Sequence, residues 1–289
     1  MTQETMRGQL RALGVSPGDV LFVHASMKAI GTPLPPEAVL ETLYEAVCPG
    51  GTLLLPAFTY ETVTPETPVF DSRESEPCVG LLPRTFFRMP GVVRSLHPTH
   101  SVCALGADAV RLTKDHVLDE TPVGPHAPLM QLPACGGKLL FIGDILHACT
   151  FMHGVEERVG TDYVLTREKI RYIVDGAPRM LYGHDFRGWQ QEYPRIRTIL
   201  GPDALRRGSF GEAPCYLIDA AALLDAAAGS CARTCTISSP ESPTRPEIPR
   251  ILLRRTPVCA IIRADRRRAP RVYAGAPAQF LHSPQKGTP

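Results

Sequence analysis

Pro17-Gly18-Asp19-Val20-Leu21-Phe22-Val23-His24-Ala25-Ser26 reads as a turn, an apolar run and a polar end. The same design recurs as Gly50-Gly51-Thr52-Leu53-Leu54-Leu55-Pro56, with Thr59 beyond it, and as Gly136-Gly137-Lys138-Leu139-Leu140-Phe141-Ile142-Gly143-Asp144. Runs this short, apolar on both faces, suit strands in the middle of a covered sheet. Residues 101–106 and 215–218 read as further, weaker strands. Helical periods lie between them. Met6, Leu10 and Leu13 share one face; Val39, Leu40, Leu43 and Val47 share another, with Pro36 in the first turn; Val79, Leu82, Phe86 and Met89 form a third stripe. Asp219 is placed to cap a final helix over residues 220–228. Strands alternating with helices predict a layered α/β domain. Ligands of such sheets bind beyond the carboxyl ends of strands, which points to His24, Ser26, Thr59 and Asp144.

The chain of 289 residues is 44% hydrophobic and 21% charged, enough to bury a sizeable core and unlike a disordered chain, a coiled coil or collagen. No run of 18 apolar residues exists, so no membrane partner is expected. The first nine residues lack the basic start and apolar stretch of a signal peptide, which predicts a cytoplasmic protein. Nine cysteines, an odd number without a Cys-x-x-Cys pair, read as reduced thiols. The charge is uneven. Residues 230–289 hold ten Arg and one Lys against three acids, which leaves 20 bases against 26 acids in residues 1–229. An acidic body of this kind favours a cationic partner and carries no basic patch for nucleic acid. The long polar stretch over residues 60–76, with Phe70-Asp71 in it, reads as a functional loop.

Two clusters could carry chemistry. Asp144, His147, Cys149, Thr150, His153, Glu156 and Glu157 form the denser one. On a helix, Thr150, His153, Glu156 and Glu157 are three or four apart, so neighbours share a face. A His beside a carboxylate suits a general base, because the carboxylate fixes the ring tautomer. The alternative is a surface helix with a solvated charge pair. Arg94-Ser95-Leu96-His97-Pro98-Thr99-His100-Ser101 is the other, able to hold a phosphate or carbonyl, or simply a hydrogen-bonded loop. Zinc would need a third ligand to converge on His97 and His100, and the helix around His153 lacks a second His, so no metal is expected. Neither Gly-x-Ser-x-Gly, nor Gly-x-Gly-x-x-Gly, nor a Walker loop occurs.

In order, Val23-His24-Ala25-Ser26-Met27-Lys28-Ala29-Ile30-Gly31, Gly51-Thr52-Leu53-Leu54-Leu55-Pro56-Ala57-Phe58-Thr59, Phe70-Asp71, Val79-Gly80-Leu81-Leu82, the Arg94–Ser101 stretch, Gly124-Pro125 and Thr150-Phe151-Met152-His153-Gly154-Val155-Glu156 resemble the aminoglycoside 3-N-acetyltransferase family over roughly the first 225 residues. The resemblance implies one α/β domain, a central mixed sheet with helices on both faces, of the antibiotic N-acetyltransferase type and not the GCN5-type fold. It implies acetyl-CoA as cosubstrate and, as acceptor, an amine of an aminoglycoside, the 3-amine of the 2-deoxystreptamine ring, with antibiotic resistance as the result.

By the same resemblance Thr150, His153 and Glu156 are the catalytic segment, with His153 as general base in a direct transfer without an acyl-enzyme. His24, Ser26, Arg94, Ser95, His97 and Ser101 fall on the coenzyme side. Asp71 falls on the acceptor side, and charge adds Asp144, Glu156 and Glu157 there. Two departures stand out: Glu74-Ser75-Glu76-Pro77 replaces a Thr/Ser-Pro pair, which leaves room for a biosynthetic amine as acceptor, and Gly154 is expected to loosen the catalytic helix. A metal-dependent hydrolase on His97, His100, His153 and Glu157 is a further alternative. Monomer and homodimer both stay open. The resemblance ends near Gly229, so residues 1–229 are expected to be the acetyltransferase domain. Residues 230–289, basic and rich in Pro, Arg and Ser, read as a disordered tail or a shifted reading frame.

Overall fold

The computed structural model describes residues 1–161, 163–186, 189–234 and 238–240. Among these the strands are β1 (Val20–Ala25), β2 (Thr52–Pro56), β3 (Val69–Phe70), β4 (Val93–Arg94), β5 (Val102–Gly106), β6 (Lys138–Ile142), β7 (Ile170–Val174), β8 (Ala177–Leu181), β9 (Trp189–Gln191), β10 (Leu205–Phe210), β11 (Ala213–Asp219) and β12 (Ser238–Pro240). The helices are α1 (Gln3–Leu13), α2 (Met27–Ile30), α3 (Pro36–Val47), α4 (Leu81–Arg88), α5 (Ala109–Thr113), α6 (Pro128–Gln131), α7 (Phe151–Val159), α8 (Ile196–Ile199) and α9 (Ala220–Thr234).

The main sheet has the order β10-β11-β6-β1-β2-β5-β4. The three repeated apolar runs are its middle: β1 lies parallel to both β2 and β6, with Phe22 opposite Leu54 and Leu139. The flanking pairs are antiparallel, so the sheet is mixed. Side chains alternate between its faces. Phe22, Leu54 and Phe141 pack with Phe151 and Val155 of α7 and Leu223 of α9. Leu21, Val23, Leu53 and Leu140 pack on the other side with Met6 and Leu10 of α1 and Val39 and Leu43 of α3. Each fully buried Leu or Phe of this kind contributes about 1.5–3 kcal/mol. The result is the layered α/β/α domain with a central mixed sheet that the sequence predicts.

The expected stripes fall where the periods place them. Met6, Leu10 and Leu13 are buried on α1, which opens on a Thr2 side-chain cap to the Thr5 amide and closes on Gly14 in the left-handed region. Leu82 and Phe86 are buried on α4, whereas Val79 and Met89 flank that helix. Asp219 caps α9 by accepting from the Ala222 amide at 2.8 Å. This helix runs on to Thr234, six residues past the expected end at residue 228. The β7–β8 hairpin carries a signal that periodicity alone misses, an Asp175-Gly176 turn with positive φ at both residues. It forms a small second sheet with β3. β12 pairs with β9, and residues 235–237 and 241–289 of the basic segment lie outside the described residues.

Gly154 corrects one expectation. A Cβ there would lie 2.1 Å from Met130 Sδ and 2.7 Å from Val123 Cγ1, so glycine lets α7 approach its neighbours instead of loosening it. Gly154→Leu should therefore overpack the helix and destabilise the fold by about 1–3 kcal/mol. Urea denaturation of the variant measures it, and an unchanged midpoint contradicts this reading.

Candidate active site

A cleft of about 760 Å³ opens beyond the carboxyl ends of β1, β2 and β6. Parallel pairing brings those three ends together, and the chain leaving each one supplies wall. His24 and Ser26 come from the end of β1, Phe58 and Tyr60 from the chain after β2, and Thr150 and His153 from the start of α7. Thr99 and His100, and His184, Phe186 and Tyr193, complete it.

His153 sits one turn into α7 with its side chain 17% exposed. Its Nδ1 lies 2.7 Å from the Tyr193 hydroxyl, which donates to Glu156 Oε2 at 2.7 Å. A hydroxyl that gives its proton to the carboxylate accepts from the ring, so Nδ1 carries a hydrogen and Nε2 is the basic nitrogen. Tyr163 donates to the other oxygen of Glu156 at 2.9 Å. Burial alone would raise the Glu156 carboxyl, but His153, Tyr193 and Tyr163 outweigh it and hold the group below its usual value. The His–Glu pairing predicted from spacing is thus indirect: Nδ1 is 3.9 Å from Glu156 Oε2 and the Tyr193 hydroxyl bridges them. Thr150 stands at the N-cap of α7, with its hydroxyl making only a long 3.5 Å bond to the Ala148 carbonyl.

Glu157 faces away from the cleft. Its Oε1 accepts from the Val123 amide at 3.0 Å and lies 2.6 Å from His184 Nε2, and burial pushes its carboxyl up to about 7. Asp144 is exposed and paired with Arg197. Asp71 turns back on its own loop, accepting from the Arg73 amide at 2.8 Å. None of these three is part of the cleft wall, and among the described residues no Asp or Glu is.

The Arg94–Ser101 segment is a scaffold behind the wall. Arg94 donates to the Ser101 hydroxyl at 2.9 Å, to the Ala57 carbonyl at 2.8 Å and to the Ser75 carbonyl at 2.6 Å. Its guanidinium also lies 4.8 Å from the Phe70 ring centroid, so this half-buried cation helps tie the 57–76 stretch to the sheet. Burial lowers its pKa to about 10. Ser95 sits between the Val102 amide and His116 Nδ1. His97 Nδ1 accepts from the Thr99 and His100 amides, at 3.3 and 3.1 Å, and its ring stacks on His116 at 5.1 Å. This local turn aims His100 at the cleft. Of the predicted site residues, the structure brings His24, Ser26, Thr150 and His153 to one wall with Glu156 behind. Arg94, Ser95, His97 and Ser101 lie beneath it.

His100, His184 and Tyr193 are missing from the predicted set. His100 lies inside a segment that the sequence does single out, but Tyr193 reaches His153 across 40 residues, a pairing that no local spacing encodes. Cys149 is fully buried, which pushes its thiol up to about 12 and leaves it no thiolate character. Among the described residues no group of three or more His, Cys, Asp and Glu is arranged to hold a metal ion. Cys48, Cys78, Cys103, Cys135, Cys149 and Cys215 are free thiols.

Burial keeps His24, His97, His100, His116 and His184 neutral, with His24 lowered to about 3 and His116 to about 4. Unfolded, each titrates near 6.5. Below that pH the unfolded chain binds protons that the folded chain refuses, so stability present above about 6.5 is lost as pH falls toward 4 and 3. Glu157 works the other way between 4.5 and about 7, one group against five. The urea midpoint should therefore fall steeply when pH drops from 7.5 to 5.5, and a flat profile would contradict neutral burial. Arg94→Ala, which strands several carbonyls, should cost about 2–4 kcal/mol in the same assay at pH 7.5.

Comparison with known proteins identifies the family. The family description aminoglycoside 3-N-acetyltransferase matches residues 22–230. Aminoglycoside N(3)-acetyltransferase VII of Streptomyces paromomycinus is 32% identical over 261 residues, covering 78% of this chain and 89% of that protein. Aminoglycoside N(3)-acetyltransferase IX of Micromonospora chalcea is 30% identical over 260 residues, 76% of this chain and 89% of the relative. Among solved structures, AAC-IIIb in binary complex with CoASH superposes with a TM-score of 0.72 at 29% identity, covering 85% of this chain and 99% of that one. A histidine-to-alanine variant of AAC(3)-IVa in complex with a gentamicin superposes with a TM-score of 0.71 at 27% identity, covering 81% and 90%. With matching sequence over most of its length, and the same fold beneath, this chain belongs to the aminoglycoside 3-N-acetyltransferase family.

Proposed function

We propose that the chain transfers the acetyl group of acetyl-CoA to an amino group of an aminoglycoside, at the 3-amine of the 2-deoxystreptamine ring, with His153 as general base. The observation that carries this reading is the His153–Tyr193–Glu156 chain on the wall of the cleft. The coenzyme bound to AAC-IIIb and the gentamicin bound to AAC(3)-IVa support the choice of donor and acceptor. The neutral amine attacks the thioester carbonyl directly, and a C–N bond forms as the carbonyl electrons move to oxygen. His153 Nε2 takes the proton leaving the nitrogen. The Nδ1–H bond to Tyr193, backed by Glu156, stabilises the imidazolium. The Thr150 hydroxyl donates to the oxyanion. The C–S bond then breaks, and the proton on His153 passes to the coenzyme thiolate. Arg94, Ser95, His97 and Ser101 serve the coenzyme side by holding its wall.

A second reading keeps the chemistry and changes the acceptor. A cleft wall with no Asp or Glu among the described residues, together with the Glu74–Pro77 departure, favours a biosynthetic amine of lower charge. Salt separates the two. Binding of a polycationic aminoglycoside to the acidic body should weaken as ionic strength rises, since exposed charges are screened over about 8–10 Å, whereas an amine of low charge shows no such slope.

The direct assay follows thiol release from acetyl-CoA with a panel of aminoglycosides. Turnover is expected on drugs with a free 3-amine and none where that amine is blocked. His153→Ala should lower kcat by about 10²–10⁴-fold while both KM values change little; near-full turnover in that variant removes His153 as the base. Tyr193→Phe breaks the bridge to Glu156 and should lower kcat by about tenfold. Unchanged kcat would show that the 3.9 Å approach of Glu156 suffices without the hydroxyl.

A further inference from the structure

The cleft wall carries a second imidazole near His153 that the mechanism above leaves unused. His100 lines the same cleft, with its ring centroid 6.4 Å from that of His153 and the planes at 78°. The ring is packed between Phe58 at 5.0 Å, Tyr60 at 5.8 Å and His184 at 4.6 Å, so it has one orientation. Its Nδ1 lies 2.9 Å from the Thr99 hydroxyl. His97 Nδ1 already accepts two backbone amides and lies 3.4 Å from that hydroxyl, a poor target. With the Thr99 hydroxyl donating to His100 Nδ1, the ring hydrogen lies on Nε2. Among the described residues nothing accepts from that Nε2–H. Burial holds the ring neutral, so it enters the reaction as a donor and not as a competing base.

We infer that His100 Nε2–H is an oxyanion donor, hydrogen-bonding the thioester carbonyl oxygen of acetyl-CoA while His153 deprotonates the attacking amine. This rests on the acetyl-transfer reading given above. The two rings flank one reacting carbon: the amine nitrogen lies about 3 Å from His153 and the carbonyl oxygen about 3 Å from His100, a span compatible with the ring separation. As the C–N bond forms, the carbonyl electrons collect on an oxygen already facing a fixed N–H. When the C–S bond breaks they return, and His100 neither gains nor loses a proton. A neutral imidazole suits this task because its donated hydrogen bond strengthens as charge develops on the oxygen. Thr99 is the positioning residue, acting only through the ring tautomer it selects.

The test compares His100→Gln, whose amide places an N–H near the position of Nε2, with His100→Asn, whose amide falls at Nδ1, and with His100→Phe, which keeps the ring without a donor. Melting curves establish that each variant is folded. The Phe and Asn variants should lose about 10²–10³-fold in kcat with both KM values nearly unchanged. The Gln variant should retain most turnover, and Thr99→Val should fall between. If Phe does not fold, the Gln–Asn pair carries the comparison. A second readout needs no acceptor: the infrared carbonyl band of acetyl-CoA labelled with carbon-13 at the carbonyl. On binding, it should shift to lower frequency in the wild type and the Gln variant, and stay put in Phe and Asn. Full kcat in the Phe or Asn variant, or the same band shift in all, overturns the role of His100. Bound acetyl-CoA with no turnover on any aminoglycoside refutes the acceptor assignment while the carbonyl band still decides on His100. Failure of acetyl-CoA to bind at all refutes both.

Discussion

Two adjacent carboxylates buried on one turn of α7 constrain the whole active end of the molecule. Glu156 and Glu157 leave the helix about 100° apart, so they cannot share partners. A buried carboxylate without hydrogen bonds is too costly to keep. Glu156 is satisfied by the hydroxyls of Tyr163 and Tyr193, and Glu157 is held at one oxygen, Oε1, by the Val123 amide and His184. Those partners come from four separate parts of the chain. Meeting the needs of two side chains thus draws the 120s loop and the segments around residues 163, 184 and 193 onto α7. The cleft is the space they enclose with the ends of β1 and β2.

The same burial sets the character of the wall. Polar groups on it are mainly imidazoles and hydroxyls, and most of the imidazoles are held neutral by desolvation. Neutral rings can accept or donate a hydrogen bond without attracting counter-ions. That favours chemistry in which charge appears only transiently, on one nitrogen and one oxygen, and then disappears. Adjacent glutamates take opposite positions: Glu156 is held below its usual value by its partners, while burial dominates at Glu157 and lifts it to about 7. One carboxylate can therefore support a developing imidazolium. The other serves mainly to anchor His184.

Arg94 shows how a residue can matter to a site without reaching it. Its guanidinium fork fits three carbonyls and the Ser101 hydroxyl, and its faces meet Phe70 and Phe87. Arg94 helps to anchor the far end of the polar loop over residues 60–76, together with the β3–β7 pairing, while Tyr60, Val63 and Thr64 at its near end line the cleft. A lysine could not make the same set of bonds, because an ammonium lacks the planar fork.

The sequence alone determined the layers. Short apolar runs after Gly-containing turns suit interior strands, and stripes of period 3.6 suit helices covering them; β1, β2, β6, α1 and α3 fall where that pattern puts them. Local spacing also placed Thr150, His153 and Glu156 together, because residues three apart on a helix are neighbours whatever surrounds them. What spacing left open was direction. Whether Glu157 points into the cleft or away from it depends on which face of α7 meets the 120s loop, and that is settled by packing around Gly154. Arg94 and Asp144 look like ligand groups in one dimension, but the fold finds them partners elsewhere in the protein. Tyr193, His184 and the nearness of His100 to His153 were decided only in three dimensions. Contacts between segments tens of residues apart carry no periodicity, and they exist only once strand pairing has brought the ends of β1, β2 and β6 together.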